Sequence, residues 1–279
     1  RGRGDGGGMS GTLSPDICVI GAGSGGLTVA AAAAQFGVPV VLVEKGLMGG
    51  DCLNFGCVPS KALIAAAEAA HCQRNAAPFG IADVVPGIDF AGVGRHVRKV
   101  IEAIAPDDDI ERFTALGVEV IQGEARFKDR RTIAVATDAG DREIRARRFV
   151  VATGSSPFIP EIPGLQDAGY LTNETIFDLA ERPGHLIVVG GGPVGMELAQ
   201  AYRRLGAEVA VLEAAGVLSH DDPELAAVVR DALRREGVAI HEKARVTAVK
   251  RMADASIRAI AETGDGALIV EGTHILVAA

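Results

Sequence analysis

The chain has 279 residues, enough for one large or two ordinary domains. It is 48% hydrophobic but only 4% aromatic, has no Trp and carries a net charge of −8, which argues against a β-sandwich and against a generally basic nucleic-acid binder. No apolar run approaches the ~18 residues that cross a bilayer, and four irregularly spaced cysteines do not make a secreted disulfide scaffold, so a cytoplasmic protein with one specialised cysteine pair is expected.

Residues 1–12 (RGRGDGGGMSGT) carry arginines with no apolar stretch behind them. They read as a disordered extension rather than a secretory signal, with Met9 the natural start. Residues 17–44 (ICVIGAGSGGLTVAAAAAQFGVPVVLVE) then run through a Val/Ile-rich strand, a G-x-G-x-x-G turn, a helix closed near Gly37, and a second strand ending on Glu44. In such a βαβ unit Gly21 permits the tight turn, Gly23 lets backbone approach a pyrophosphate and Gly26 lets helix pack on strand. The helix N-terminus offers N–H groups to phosphate, and the terminal acid accepts from ribose hydroxyls.

Next comes GGDCLNFGCVPSKALI, residues 49–64. Cys52 and Cys57 lie too far apart in sequence for a C-x-x-C zinc knuckle, no second ligand pair exists, and no metal site is expected. Pro59 suits the first turn of a helix, which puts Cys57 at or beside a helix N-terminus, where a thiolate is favoured. Lys61 follows one turn later on the same side and adds a cation. Cys18 reads as a small core residue of the first strand, and Cys72 as structural or incidental. Residues 89–116 read as a helical excursion in which DDD, residues 107–109, is a solvated helix start rather than a metal site. Residues 117–151 read as β-rich, and the locally basic Arg142 to Arg148 as a solvated strand edge. A Pro/Gly-rich linker is expected over 156–183.

Residues 186–213 (LIVVGGGPVGMELAQAYRRLGAEVAVLE) repeat the first unit. Gly190, Gly192, Gly195, Gly206 and Glu213 align with Gly21, Gly23, Gly26, Gly37 and Glu44, and each copy has its acid 23 residues after its first glycine. A lone glycine motif is weak, but two in matching context imply two dinucleotides, one of which could be FAD and the other NAD(P). Glu213 would repel a 2′-phosphate, and no Arg occurs between Arg204 and Arg230, which favours NAD.

With these residues in view, the chain resembles the class I pyridine nucleotide-disulfide oxidoreductases, which include dihydrolipoamide dehydrogenase, glutathione reductase and mercuric reductase. GCVPSKAL is closer to the dihydrolipoamide dehydrogenase and mercuric reductase branches. The resemblance implies an α/β fold of two Rossmann-like domains with parallel central sheets and added β-meanders. The FAD-binding domain is expected over 13–155 and the NAD-binding domain over 184–279. It assigns Gly21, Gly23, Ser24, Gly25 and Gly26 to the FAD pyrophosphate loop and Glu44 to the ribose. Lys45, Gly50, Asp51, Ala125, Thr153, Gly154 and Ser155 complete the FAD-binding set, with Ala125 near the adenine. Gly190, Gly192, Pro193, Val194, Gly195 and Glu213 bind NAD. Cys57 resembles the thiol facing the flavin, Cys52 the thiol exchanging with substrate, Lys61 the lysine near the flavin, and Glu197 its acidic partner near the nicotinamide.

The implied activity passes electrons between NAD(H) and a dithiol or disulfide through FAD and the Cys52–Cys57 pair, in the manner of dihydrolipoamide dehydrogenase. A mercuric reductase-like enzyme and an inactive nucleotide-binding fragment are the alternatives. Asp51 stands where the family commonly has Thr. The family continues well past this chain's end into a dimerisation domain that brings a His–Glu pair to the partner subunit. The sequence therefore reads as C-terminally truncated, short of full activity by itself, with a homodimer expected of the full-length form.

Overall fold

The computed structural model describes residues 12–279, so the expected disordered extension lies, apart from Thr12, outside the described residues. In chain order the elements are β1 (Ile17–Ile20), α1 (Ser24–Gln35), β2 (Val40–Glu44), α2 (Gly50–Asn54), α3 (Cys57–Arg74), α4 (Phe90–Ile104), α5 (Ile110–Ala115), β3 (Glu119–Gln122), β4 (Glu124–Phe127), β5 (Thr132–Ala136), β6 (Arg142–Arg145) and β7 (Arg148–Val151). They continue with α6 (Leu165–Ala168), β8 (His185–Val189), α7 (Pro193–Arg204), β9 (Glu208–Leu212), α8 (Pro223–Arg235), β10 (Ala239–His241), β11 (Arg245–Arg251), β12 (Ile257–Thr263), β13 (Gly266–Gly272) and β14 (His274–Val277). Two compact units form: the described part of Arg1–Asn54 with Ile101–Ser155, and Phe55–Val100 with Ser156–Ala279.

The first unit is built on a parallel sheet of order β3-β2-β1-β7. Alternate residues leave opposite faces of a strand. Val19, Val40 and Leu42 pack with Leu27, Ala30 and Ala33 of α1 and with Phe113 of α5. Cys18, Val41 and Val43 pack the other way, against Ile133, Val135 and Ile144 of the antiparallel sheet β4-β5-β6. Both faces are covered, which is why β2 reads as an unbroken apolar run. The small residues of α1 let it lie close on the sheet, and the helix ends where Gly37, at φ 71°, donates to Ala34. In the helical excursion, Asp109 caps α5 by accepting from the Arg112 amide at 2.7 Å.

The second unit repeats the plan with order β10-β9-β8-β14, all parallel. Ile187, Val189, Ala210, Leu212, Ile275 and Val277 pack on the antiparallel sheet β11-β12-β13. The expected linker 156–183 is largely built into this unit: Leu165, Ala168 and Ile176 are buried, and Leu171 bridges Leu276. The Ile176 carbonyl accepts from the buried Tyr202 hydroxyl at 2.9 Å, and burial pushes that hydroxyl's pKa up. Pro and Gly shape this stretch, but its apolar residues have a core to enter. The helix α3 also belongs here, lying along α7.

Strand order fixes where a ligand can sit. From β1 the chain works outward through β2 and β3, then returns to pair β7 on the other side of β1. From β8 it works outward through β9 and β10, then returns to β14. Each reversal opens a crevice at the carboxyl ends of the strands, immediately beyond the first strand of the unit.

Candidate functional site

Both glycine loops occupy such a crevice. Gly21 and Gly190 have φ of 103° and 110°, conformations that only glycine adopts freely. A Cβ on Gly21 would come under 3.0 Å from the Ala152 carbonyl, and one on Gly190 equally close to the Ala278 carbonyl. Those carbonyls belong to the residues following β7 and β14, so the returning strand enforces the first glycine. A Cβ on Gly26 or Gly195 would run into the carbonyl of Gly21 or Gly190, so the turn itself enforces the third.

The second glycine differs. Gly23 and Gly192 are N-caps with φ of −81° and −73°, which any residue can adopt. A Cβ on Gly23 would have only Gly50 within van der Waals range, at 3.8 Å, and one on Gly192 would meet nothing within 4 Å. Neither cap makes a side-chain hydrogen bond, and neither helix has an acid in its first turn. The first-turn N–H groups are therefore left for an anion.

In the first unit a cavity of about 250 Å³ opens at this edge. It is lined by the expected Gly21, Gly23, Glu44, Lys45, Gly50, Asp51, Ala125, Thr153, Gly154 and Ser155. Ser24, Gly25 and Gly26 lie on α1, Gly26 buried beneath it. Sequence reasoning passed over Ile20, Val43, Gly123, Glu124 and Ala152, which also line the cavity. Each sits at or just beyond the carboxyl end of β1, β2, β3 or β7, so the signal lay in topology rather than residue type. In the second unit Pro193 and Glu197 line a separate, more apolar cavity of about 340 Å³ with Met196, Leu218 and Leu225. Val194 and Gly195 fall in the first turn of α7.

The two acids have matching surroundings. Glu44 accepts from the Ala22 amide at 2.6 Å and the Gly46 amide at 2.7 Å, one to each oxygen. Glu213 accepts from the Gly191 and Ala215 amides, both at 2.7 Å. A carboxylate oxygen can take a second donor, so capacity for ribose hydroxyls remains. In the structure, though, each acid first clamps its own glycine turn.

The sulfur-bearing segment divides between two helices. Cys52 lies on α2 and is half-buried; Cys57 is the first residue of α3 and is exposed. Gly56, the N-cap, brings no competing side chain to that helix end. One turn on, the Lys61 ammonium meets the Glu197 carboxylate of α7 at 2.7 Å. The pair is exposed, with side chains 61% and 44% accessible, and so contributes only about 0–1 kcal/mol to stability. Cys18 is fully buried, which pushes its thiol up to about 12 and makes it inert. The exposed Cys72 bonds Glu68 at 3.4 Å, a contact that raises its pKa. No group of His, Cys, Asp and Glu able to hold a metal ion occurs among the described residues, and no described helix is long and apolar enough to cross a membrane.

Comparison with known proteins agrees with this geometry. The family model for pyridine nucleotide-disulphide oxidoreductases matches residues 15–279. A mercuric reductase of Streptomyces lividans is 36% identical over 266 residues, covering 94% of this chain and 56% of that protein. A dihydrolipoyl dehydrogenase of Geobacillus stearothermophilus is 35% identical over 230 residues, covering 82% and 48%. Among solved structures, the HOCl-induced flavoprotein disulfide reductase RclA from Escherichia coli, as its Cu(II) complex, superposes with a TM-score of 0.80 at 26% identity, covering 96% of this chain and 57% of that one. The chain thus spans about half the length of the curated relatives it matches. Two glycine crevices of one design, and a family match running through both, lead to one conclusion: the chain belongs to the pyridine nucleotide-disulphide oxidoreductase family.

Proposed function

We propose that this chain acts in an NAD-linked, FAD-dependent disulfide oxidoreductase whose substrate is a dithiol or disulfide of the dihydrolipoamide type. The family uses FAD and NAD(P)H. The carrying observation is the second glycine of each loop: no protein atom forbids a side chain there, so its bareness is explained by something that is not protein. A dinucleotide pyrophosphate against the free N–H groups of α1 and α7 fits that space. Of the two nicotinamide dinucleotides, NAD is favoured by Glu213 and by the lack of any Arg between Arg204 and Arg230.

Reducing a substrate disulfide takes two electrons and two protons. Cys52 and Cys57 give these up by closing a disulfide between themselves, and NADH with one solvent proton restores both thiols, leaving NAD⁺. Bound FAD supplies the two-electron relay between nicotinamide and sulfur. Cys52 exchanges with the substrate, and Cys57, exposed at the first position of α3, would be the sulfur that faces the flavin. Lys61, oriented by Glu197, supplies a fixed positive charge to the same site. A homodimeric whole protein in the cytoplasm fits the family and the cysteine usage.

A second reading has support in the recurrence of mercuric reductases among the relatives, at 31 to 37% identity. There the same two sulfurs hold a mercuric ion, which takes both electrons of NADH and leaves as the metal, with NAD⁺ and one proton. Lipoamide and Hg(II) offered in turn to the whole protein separate the two.

The cofactor reading is tested by Gly23→Ala and Gly192→Ala. Both variants should stay folded, losing no more than about 1 kcal/mol at the helix N-cap, while Gly23→Ala weakens FAD binding about tenfold or more and Gly192→Ala does the same for NADH alone. Wild-type FAD affinity in Gly23→Ala would sink the proposal.

A further inference from the structure

Two arginine-rich cavities lie away from the glycine crevices, and their contrast is informative. One, of about 690 Å³, sits in the second unit where α3, α7 and α8 end. Three of its four arginines are engaged, and the fourth, Arg235, makes no hydrogen bond or ion pair among the described residues. Arg74 donates to the Arg204 carbonyl, Arg203 to the Glu236 and Ala207 carbonyls, and Arg204 to both oxygens of Glu236 and to Glu68. They cap helix carboxyl ends and tie the helices together, and a structural role accounts for them.

The other, of about 590 Å³, lies in the first unit, at the amino edge of the parallel sheet, opposite the glycine crevice. Arg131, Arg145, Arg147 and Arg148 line it, and the one acid among the lining residues is Asp16. Asp16 pairs with Arg147 at 3.5 Å, and Arg148 donates to the Arg147 carbonyl at 2.9 Å. The side chains of Arg131 and Arg145 make no hydrogen bond or ion pair among the described residues. The Asp129 carboxyl, outside the lining, is held below its ordinary value chiefly by the hydrogen bond it accepts from the Arg131 amide, with Arg145's charge the least of the causes.

The backbone fixes this cluster. The amides of Arg145, Arg147 and Arg148 donate to the carbonyls of Leu13, Pro15 and Asp16, and that of Ala146 to Arg131, so three chain segments converge in sheet-like pairing. Like charges set side by side repel, and they do so here on a chain whose net charge is −8. All four arginines are exposed, yet they line one open cavity, and two unengaged guanidinium groups there have the form of an anion receptor.

We infer that this cavity binds a small oligophosphate. Guanidinium forks match phosphate oxygens in pairs, as lysines do not. The volume lies in the range of small-molecule sites. The lining has no aromatic ring on which a nucleobase could stack, which favours a bare phosphate chain over a nucleotide or a nucleic acid. The inference is independent of the proposed redox function.

The test is calorimetric titration of the chain with tripolyphosphate at low salt, with FAD and NAD⁺ present so that neither glycine crevice takes up the probe. Wild type should bind at one site per chain. Arg131→Gln/Arg145→Gln should bind about tenfold more weakly or worse, while Arg235→Gln, in the other arginine-rich cavity, should match wild type. Circular dichroism checks the fold of the double variant, and either single variant, with an intermediate loss expected, replaces it if it unfolds. No binding by wild type, equal affinity in the arginine variants, or a single-stranded oligonucleotide that tripolyphosphate cannot displace would each overturn the inference.

Discussion

The two βαβ units solve one backbone problem with different side chains. In the first, α1 is mostly Ala and Gly, carries no charged residue and begins without a proline; in the second, α7 opens on Pro193 and carries Glu197, Arg203 and Arg204. Ala22 stands between the first pair of glycines and Gly191 between the second, where a Cβ would press on Val217 and Glu213. What does not change is the set of contacts that shape the turn: the returning strand against the first glycine, the turn against the third, and two amides on the terminal acid. Residues touching protein are thus separable from those touching ligand, and the separation can be attacked experimentally.

The largest expected effect is on the third glycine. Gly26→Ala and Gly195→Ala each place a methyl against a backbone carbonyl that cannot swing away. Each should cost about 3 kcal/mol, at the upper end of overpacking penalties. Urea unfolding would show it as a lowered midpoint, and a neutral result at one site would mean that its turn is not built like the other.

Next come the acids. Glu44→Gln and Glu213→Gln each set an NH₂ group opposite a backbone N–H that had a carboxylate oxygen, leaving that donor without an acceptor. A loss of about 1–3 kcal/mol is expected at each. The close match of the distances predicts nearly equal losses. If only one variant is destabilised, in ligand-free unfolding, the clamp belongs to one copy and the equivalence fails.

A smaller effect is expected at Lys61. Its ion pair with Glu197 is exposed, so Lys61→Ala should change stability by less than about 1 kcal/mol. Reduction of the Cys52–Cys57 pair by NADH, followed by stopped-flow absorbance, should slow by about tenfold or more if the charge serves the redox site. Equal effects on stability and rate would reduce Lys61 to a structural residue.

Much of this was legible in the sequence because the repeat is local. A glycine spacing, a helix of fixed length and a terminal acid all lie within one short stretch, and the structure returns them in the expected elements. The start of α3 at Cys57 was readable for the same reason, from Pro59. Less legible was whatever depends on distant segments meeting. Gly123 and Ala152 line the first cavity only because β3 and β7 flank β2 and β1. The 156–183 stretch looked like a linker because it is rich in Pro and Gly, whereas Leu165 and Ile176 are buried by partners elsewhere in the chain. The arginines near 145 looked like a solvated edge because Arg131 joins them only through β5–β6 pairing.

The smallest effect separates the units by acid. His241 on β10 and His274 on β14 occupy the two edge strands of the second parallel sheet, whereas β3 and β7, the edges of the first, carry no histidine. Burial lowers the pKa of both, with a lesser contribution from Arg234 at His241 and from Arg251 at His274. The folded values lie below the ordinary value of about 6.5. Above that pH both states are neutral and stability is fully present. As pH falls below it, the unfolded chain takes up protons first, and stability is lost progressively as pH descends through the folded values. Hydrogen exchange at about pH 7.5 and 5.5, corrected for intrinsic rates, should therefore show protection falling in β8, β9, β10 and β14 more than in β1, β2, β3 and β7. His241→Gln/His274→Gln should flatten that difference. An acid response shared equally by both sheets, or one that survives the double substitution, would place the sensitivity elsewhere and remove the last distinction drawn between the two units.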